Sequence, residues 1–203
     1  NPGKLRVVYL STLQKRTGLT IPLAGGIYSL AQPLTDLFFG KQWLPMVGAL
    51  RILCLFGVTR SIGATLGPLL QGIGKPKITS KTALLQLILL AVLIYPLTKS
   101  QGIVGTSIAV VIPNIVAVLY LSRVAAHLLK FKLLVFYRNL LCPALATAVM
   151  CAILRLLTNL SHESMLGFLL TIMMGAVSYL VAILALDKFS SYDLIRTAKW
   201  LVS

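Results

Sequence analysis

"MVGALRILCLFGVTRSIGATLGPLLQGIGKPK", residues 46–77, decides the fold class. Residues 46–72 are dominated by apolar side chains. As a helix they rise about 40 Å at about 1.5 Å per residue, enough to cross a hydrocarbon core of about 30 Å. The run then stops at glycine, proline and lysines, as a span does on leaving the membrane. One residue resists this reading. Arg60 stands at mid-depth, where a charge costs about 2.5–3.5 kcal/mol even on the milder scales. It must therefore face protein or water.

The rest of the chain repeats the pattern. It is 203 residues long, 58% hydrophobic and 11% charged, against about 25% charged in soluble domains. Its mean hydropathy is +0.92. Apolar runs of span length recur, and they do not alternate apolar with polar as barrel strands do. The fold class is therefore all-α integral membrane. Spans are predicted at about 18–39, 46–72, 82–97, 103–123, 139–158 and 165–186. A basic segment, 1–17, precedes them and a tail, 187–203, follows.

The charge balance is 19 Lys and Arg against 4 Asp and Glu, a net +15. In a soluble protein that excess would suggest nucleic acid. Here the charges lie between apolar runs, so anionic membrane lipids are the expected partner and nucleic acid is not. Lys130-Phe131-Lys132 and Phe136-Tyr137-Arg138 fit a membrane-surface segment joining two spans.

Basic residues also give the orientation. Lys4, Arg6, Lys15 and Arg16 precede the first span. Lys75, Lys77 and Lys81 follow the second; Arg123, Lys130, Lys132 and Arg138 follow the fourth; Lys188, Arg196 and Lys199 follow the sixth. The alternate connections hold only Lys41, Lys99 and Arg155. Basic connections lie on the cytoplasmic side, so both termini of the segment are expected there. Trp43 and Tyr95 then fall at the outer boundary, where aromatic rings favour the headgroup layer. Residues 189–201 suit a short interfacial helix. The chain has no initiator Met, so it is expected to belong to a longer protein.

Arg60 is the leading candidate for function. On a wheel of about 100° per residue, Gly63, Ala64, Gly67, Gln71 and Gly74 fall within about 60° of it. Ile62, Leu66, Leu69 and Ile73 lie opposite. This predicts an inward stripe of small and polar residues and a lipid-facing aliphatic side. Two readings follow. Either Arg60 lines a water-filled cavity and attracts an anion, with Gln71 as a weaker partner, or it pairs with a neighbouring helix while Gly63-x-x-x-Gly67 packs closely. Asn114, after Pro113, is a cavity residue or an interhelical hydrogen bonder. Arg51, opposite Arg60 and near the outer end, is expected to snorkel; Arg155 reads likewise. Pro68 is expected to bend the second span. His127 and His162 read as interfacial.

No catalytic constellation is visible. There are no paired carboxylates, no Gly-x-Ser-x-Gly, no phosphate loop and no His/Cys metal spacing. The chain is therefore read as a non-enzyme with no cofactor. Cys54, Cys142 and Cys151 sit in apolar runs and behave as small apolar residues. Asn159-Leu-Ser161 matches a glycosylation triplet, a pattern common by chance.

The order of motifs does resemble a known family. "IPLAGGIYSLAQPLTDLFFGKQWLP" (21–45), the Arg-containing span, "LLQGIGKPKITSKTALLQLILL" (69–90) and "YPLTKSQGIVGTSIAVVI" (95–112) follow one another. This succession resembles the C-terminal half of bacterial polysaccharide flippases, the Wzx-like branch of the MOP transporter superfamily. Its cues are Pro22, Phe38-Phe39-Gly40 with Trp43, the Gly74-Lys75-Pro76 turn, and Gly102 with Gly105. The resemblance covers about residues 5–125.

The resemblance implies a two-lobe, MATE-like transporter of 12 to 14 spans, of which this chain is the six-helix C-terminal lobe. Such proteins move lipid-linked oligosaccharide, of the undecaprenyl pyrophosphate type, across the bacterial inner membrane by alternating access. The missing N-terminal half would supply the other wall of the cavity. A cationic cavity suits an anionic substrate, and Arg60, Gln71 and Asn114 are its candidates. Two rivals stand: a cation or drug antiporter lobe, and a membrane enzyme of envelope polysaccharide assembly such as a polymerase or ligase.

Overall fold

The computed structural model describes residues 2–129, 133–158 and 165–190, and the side chains of 8–129, 140–157 and 166–185. The described residues form five α-helices and one 3-10 turn: α1 (Pro2–Phe38), the 3-10 turn (Lys41–Met46), α2 (Val47–Gly72), α3 (Pro76–Leu128), α4 (Leu133–Thr158) and α5 (Met165–Ser190). No strand occurs among the described residues. The protein is an all-α integral membrane protein.

Among the described residues four helical segments are long and apolar enough to cross a membrane: Lys41–Gly72, Pro76–Leu128, Leu140–Leu157 and Leu166–Ala185. The second has 53 residues, about 80 Å of helix and far more than one crossing needs. It is broken at Gly102, where φ is 58° and ψ is −134°. The predicted third and fourth spans lie in its two arms, residues 76–101 and 103–128. α1 is not among the four, because Gly, Pro, Thr and Gln dilute its apolar stretch. It is helical from Pro2, so the basic segment continues directly into the helix. Residues 191–203, which hold most of the expected interfacial tail, lie outside the described residues. So do Lys130–Lys132, Asn159–Ser161, His162, Glu163 and the side chains of Phe136, Tyr137 and Arg138.

The corners are built from glycine and proline. α2 ends in a Schellman stop, with Gly74 at φ 76°. Gly74 N donates to the Gln71 carbonyl and Lys75 N to the Leu70 carbonyl, both at 2.9 Å. These are the two bonds that an αL glycine permits past a helix end. Pro76 then opens α3, where a missing N–H costs nothing. At the other end of the bundle Gly40 (φ 86°) closes α1, its N–H bonding the Thr35 carbonyl at 3.0 Å. α2 itself continues through Pro68 as one helix.

α2 packs between α1 and α3, α1 also packs on α4, and α4 on α5. Gly25 lets α4 approach α1: a Cβ there would run into Thr147. One core cluster joins Tyr9 and Leu13 of α1, Ile62, Leu66 and Leu70 of α2, and Val118, Leu121 and Ala125 of the second arm of α3. It fills the bundle at the end that carries Lys75 and Lys77. This overturns the expected lipid-facing side of α2. Ile62 is 4% exposed, Leu66 is fully buried and Leu69 and Ile73 are half-buried against the same cluster, while Arg60, Ala64 and Gln71 are exposed. The reason is that lipid is as apolar as leucine. Large side chains gain more from tight packing on other helices than from facing acyl chains.

Candidate functional site

α2 positions most of the candidate groups. Arg60 lies midway along it, on a face where Gly57, Ala64, Pro68 and Gln71 are also exposed. Gly67 completes that face and has open space where a Cβ would be; a Cβ on Gly63 would touch only the Val118 methyl at 3.4 Å. Gly63 and Gly67 therefore do not form a tight contact between described helices. Arg60 and Gln71 share one exposed stripe, a cation midway along it and an amide near the Lys75 turn.

Asn114 is elsewhere. It is 5% exposed and uses both ends of its amide between helices. Its Nδ2 donates to Thr59 Oγ1 at 2.6 Å, and its Oδ1 accepts from Gln86 Nε2 at 3.3 Å. One side chain thus ties α2 to both arms of α3. Of its two expected roles, the structure gives it the interhelical bond. Thr20 and Ser61 make a similar hydroxyl bond at 3.0 Å between α1 and α2.

Arg51 makes a contact with another helix. It is half-buried, its guanidinium carbon lies 5.7 Å from the centroid of the Tyr28 ring, and its Nε is buried with no hydrogen-bond partner. Arg51 and Tyr28 line a cavity of about 490 Å³ between α1, α2 and α4, walled by Ile21, Ile52, Leu55 and Val58, with Cys54 and Thr147 in the lining. The signal for Arg51 was in the wheel. It lies opposite Arg60, hence on the same side as Ile62 and Leu66, which is the packed side of the helix.

A second cavity, about 400 Å³, runs along α1, α4 and α5 between Leu19, Leu23, Leu30, Phe168 and Ile172. It contains no charged side chain. Tyr179 closes one wall by donating to the Gly18 carbonyl at 2.6 Å. Arg60, Gln71 and Asn114 line neither cavity. Cys54, Cys142 and Cys151 form no disulfide. No group of three or more His, Cys, Asp or Glu side chains suited to a metal occurs among the described residues.

No family model matches the chain, and no solved structure matches it. Two curated proteins are similar to part of it. An uncharacterized membrane protein in the cps region of Klebsiella pneumoniae is 27% identical over 109 residues, 54% of this chain and 22% of that protein. The lipopolysaccharide biosynthesis protein WzxC of Escherichia coli (strain K12) is 25% identical over 113 residues, 56% of this chain and 23% of that protein. The matched region spans less than a quarter of the length of either relative. The chain is thus a multi-pass helical membrane protein that is similar, over about half its length, to a membrane protein of a cps region and to a lipopolysaccharide biosynthesis protein.

Proposed function

We propose that this chain is the C-terminal lobe of a transporter that flips lipid-linked oligosaccharide across the bacterial inner membrane, with both ends of the lobe in the cytoplasm. The observation that carries the reading is Arg60, exposed midway along a membrane helix on a stripe of small residues. A guanidinium left against acyl chains is costly. A second lobe facing that stripe, with water between, removes the cost and creates a cationic cavity wall. Small side chains at Ala64 and Gly67 leave room for a bulky sugar-bearing ligand, and Gln71 offers an amide near the basic end. The pyrophosphate of an undecaprenyl-linked sugar is the anion that such a wall suits. Similarity to WzxC supports the same class.

A cation antiporter would need acids in its cavity, and Asp36, exposed near the end of α1, is far along the chain from this stripe. The lobe would act by rocking against its missing partner half, with no covalent chemistry. The test is glycan export in cells carrying the full transporter. Arg60→Ala is expected to reduce export about tenfold or more, and Arg60→Lys to retain most of it, since charge matters more than fork geometry at a wet wall. Full export by both variants would refute the cavity role.

A further inference from the structure

The cavity between α1, α2 and α4 has chemistry that the transport reading does not use. Its walls are apolar save for Arg51, Tyr28, Cys54 and Thr147. It contains one cation and no carboxylate. Arg51 is half-buried, and its guanidinium carbon lies over the Tyr28 ring. A ring quadrupole steadies the charge but satisfies no N–H donor. The Nε–H is buried and unmatched, although a buried donor without a partner costs about 1–3 kcal/mol. A guanidinium held this way, beside an open volume with no carboxylate in its lining, is half of a charge-assisted pair. An oxyanion is the other half, because two oxygens match the guanidinium fork.

We infer that the Arg51–Tyr28 cavity is a binding site for a phosphate-type oxyanion, with Arg51 as the anion ligand and Tyr28 as the wall that holds it in place. The site is distinct from the Arg60 stripe, since the two arginines lie on opposite sides of α2 and Arg60 does not line this cavity. It stands whether or not the chain flips oligosaccharide. The volume, about 490 Å³, lies within the range of small-molecule sites, about 300–1,000 Å³, and exceeds what a bare phosphate needs. Ile52, Leu55 and Val58 offer an apolar surface to whatever the phosphate carries. Free phosphate and the phosphate of a polyprenyl lipid share the required chemistry.

Cys54 lines the same cavity and reports its occupancy. The full-length protein in detergent is alkylated with N-ethylmaleimide, and the rate at Cys54 is followed by peptide mass spectrometry. One arm adds inorganic phosphate and the other adds polyprenyl phosphate in mixed micelles. Protection in the first arm identifies a free anion as ligand; protection in the second alone identifies a lipid phosphate. In either case Arg51→Gln is expected to raise the ligand concentration needed for protection about tenfold or more, and Arg51→Lys to give an intermediate shift. Should Arg51→Gln not fold, Arg51→Lys and Tyr28→Leu carry the same comparison, each with weakened protection. No protection by either probe, or equal protection in the variants, overturns the site. Glycan export is not the readout, so failure here leaves the Arg60 proposal standing.

Discussion

Asn114 connects three helical segments through one amide. Gln86 donates to it, it donates to Thr59, and Thr59 is within 3.0 Å of the carbonyls of Leu55 and Phe56 in its own helix. Each polar group in this series is satisfied, which is what allows it to be buried. Interhelical bonds in membranes are nevertheless modest, about 0.6–2 kcal/mol, because the unfolded chain in the bilayer finds other partners. A double-mutant cycle with Asn114→Ala and Thr59→Val is therefore expected to give a coupling of about 0.6–2 kcal/mol in detergent unfolding. A coupling near zero would mean that the two side chains are neighbours without a bond. Asn114 was legible in the sequence because an amide within an apolar span is rare. Thr59 and Gln86 were not. A span hydroxyl commonly bonds its own helix, and the facing register of segments 28 and 55 residues apart is set by packing. The wheel placed Arg51 on the packed side, but its contact with Tyr28 was not legible, because that ring comes from a different helix.

The helices are joined at corners that sequence punctuation does specify. Gly74-Lys75-Pro76 reads as a stop followed by a start, and the bonds at that turn are the ones glycine and proline make possible. Gly102 and Gly105 mark the other sharp corner. Gly102 holds a positive φ that a Cβ disfavours. At Gly105 a Cβ would run into the Leu97 carbonyl, because the two arms of α3 meet there and Thr98 and Thr106 bond hydroxyl to hydroxyl at 2.9 Å. Gly67, by contrast, has open space around it within an unbroken helix. Alanine substitution should separate the two cases. Gly105→Ala is expected to destabilise by about 1–3 kcal/mol, since backbone cannot yield as a side chain can. Gly67→Ala is expected to be neutral or to stabilise by up to about 1 kcal/mol through helix propensity. Both are read as shifts of the unfolding midpoint in detergent, and equal shifts would contradict the corner geometry. The inverted face of α2 shows where such reading fails. Its wheel gave the two sides correctly, but polarity alone could not say which faces inward. In a bilayer the packed side is chosen by fit, and Ile62, Leu66 and Leu70 fit between α1 and α3 better than small residues would.

For the molecule as a whole, orientation is a matter of charge and not of packing. Lys15, Arg16, Lys75, Lys77, Lys81 and Arg123 are all exposed, as are Lys41 and Lys99. The first six belong to the N-terminal part of α1, the α2–α3 turn and the far end of α3. The last two lie by the α1–α2 turn and the break at Gly102. The helices would pack equally well either way up. What distinguishes the two orientations is the surface each lysine meets, worth about 1 kcal/mol per basic residue near an anionic cytoplasmic leaflet. Six against these two and Arg155, exposed near the other end of α4, favours the Lys75 turn inside. Because α3 breaks at Gly102 and does not run straight for its full length, Lys99 should then reach the opposite side of the membrane from Lys75. Single cysteines decide this, with the native thiols replaced. In intact cells a membrane-impermeant maleimide is expected to label Lys99→Cys and to spare Lys75→Cys, which reacts only after the membrane is opened. Labelling of both in intact cells, or of Lys75→Cys alone, would show that the arms of α3 do not make two crossings in that sense, and would also remove the cytoplasmic termini from the flippase reading.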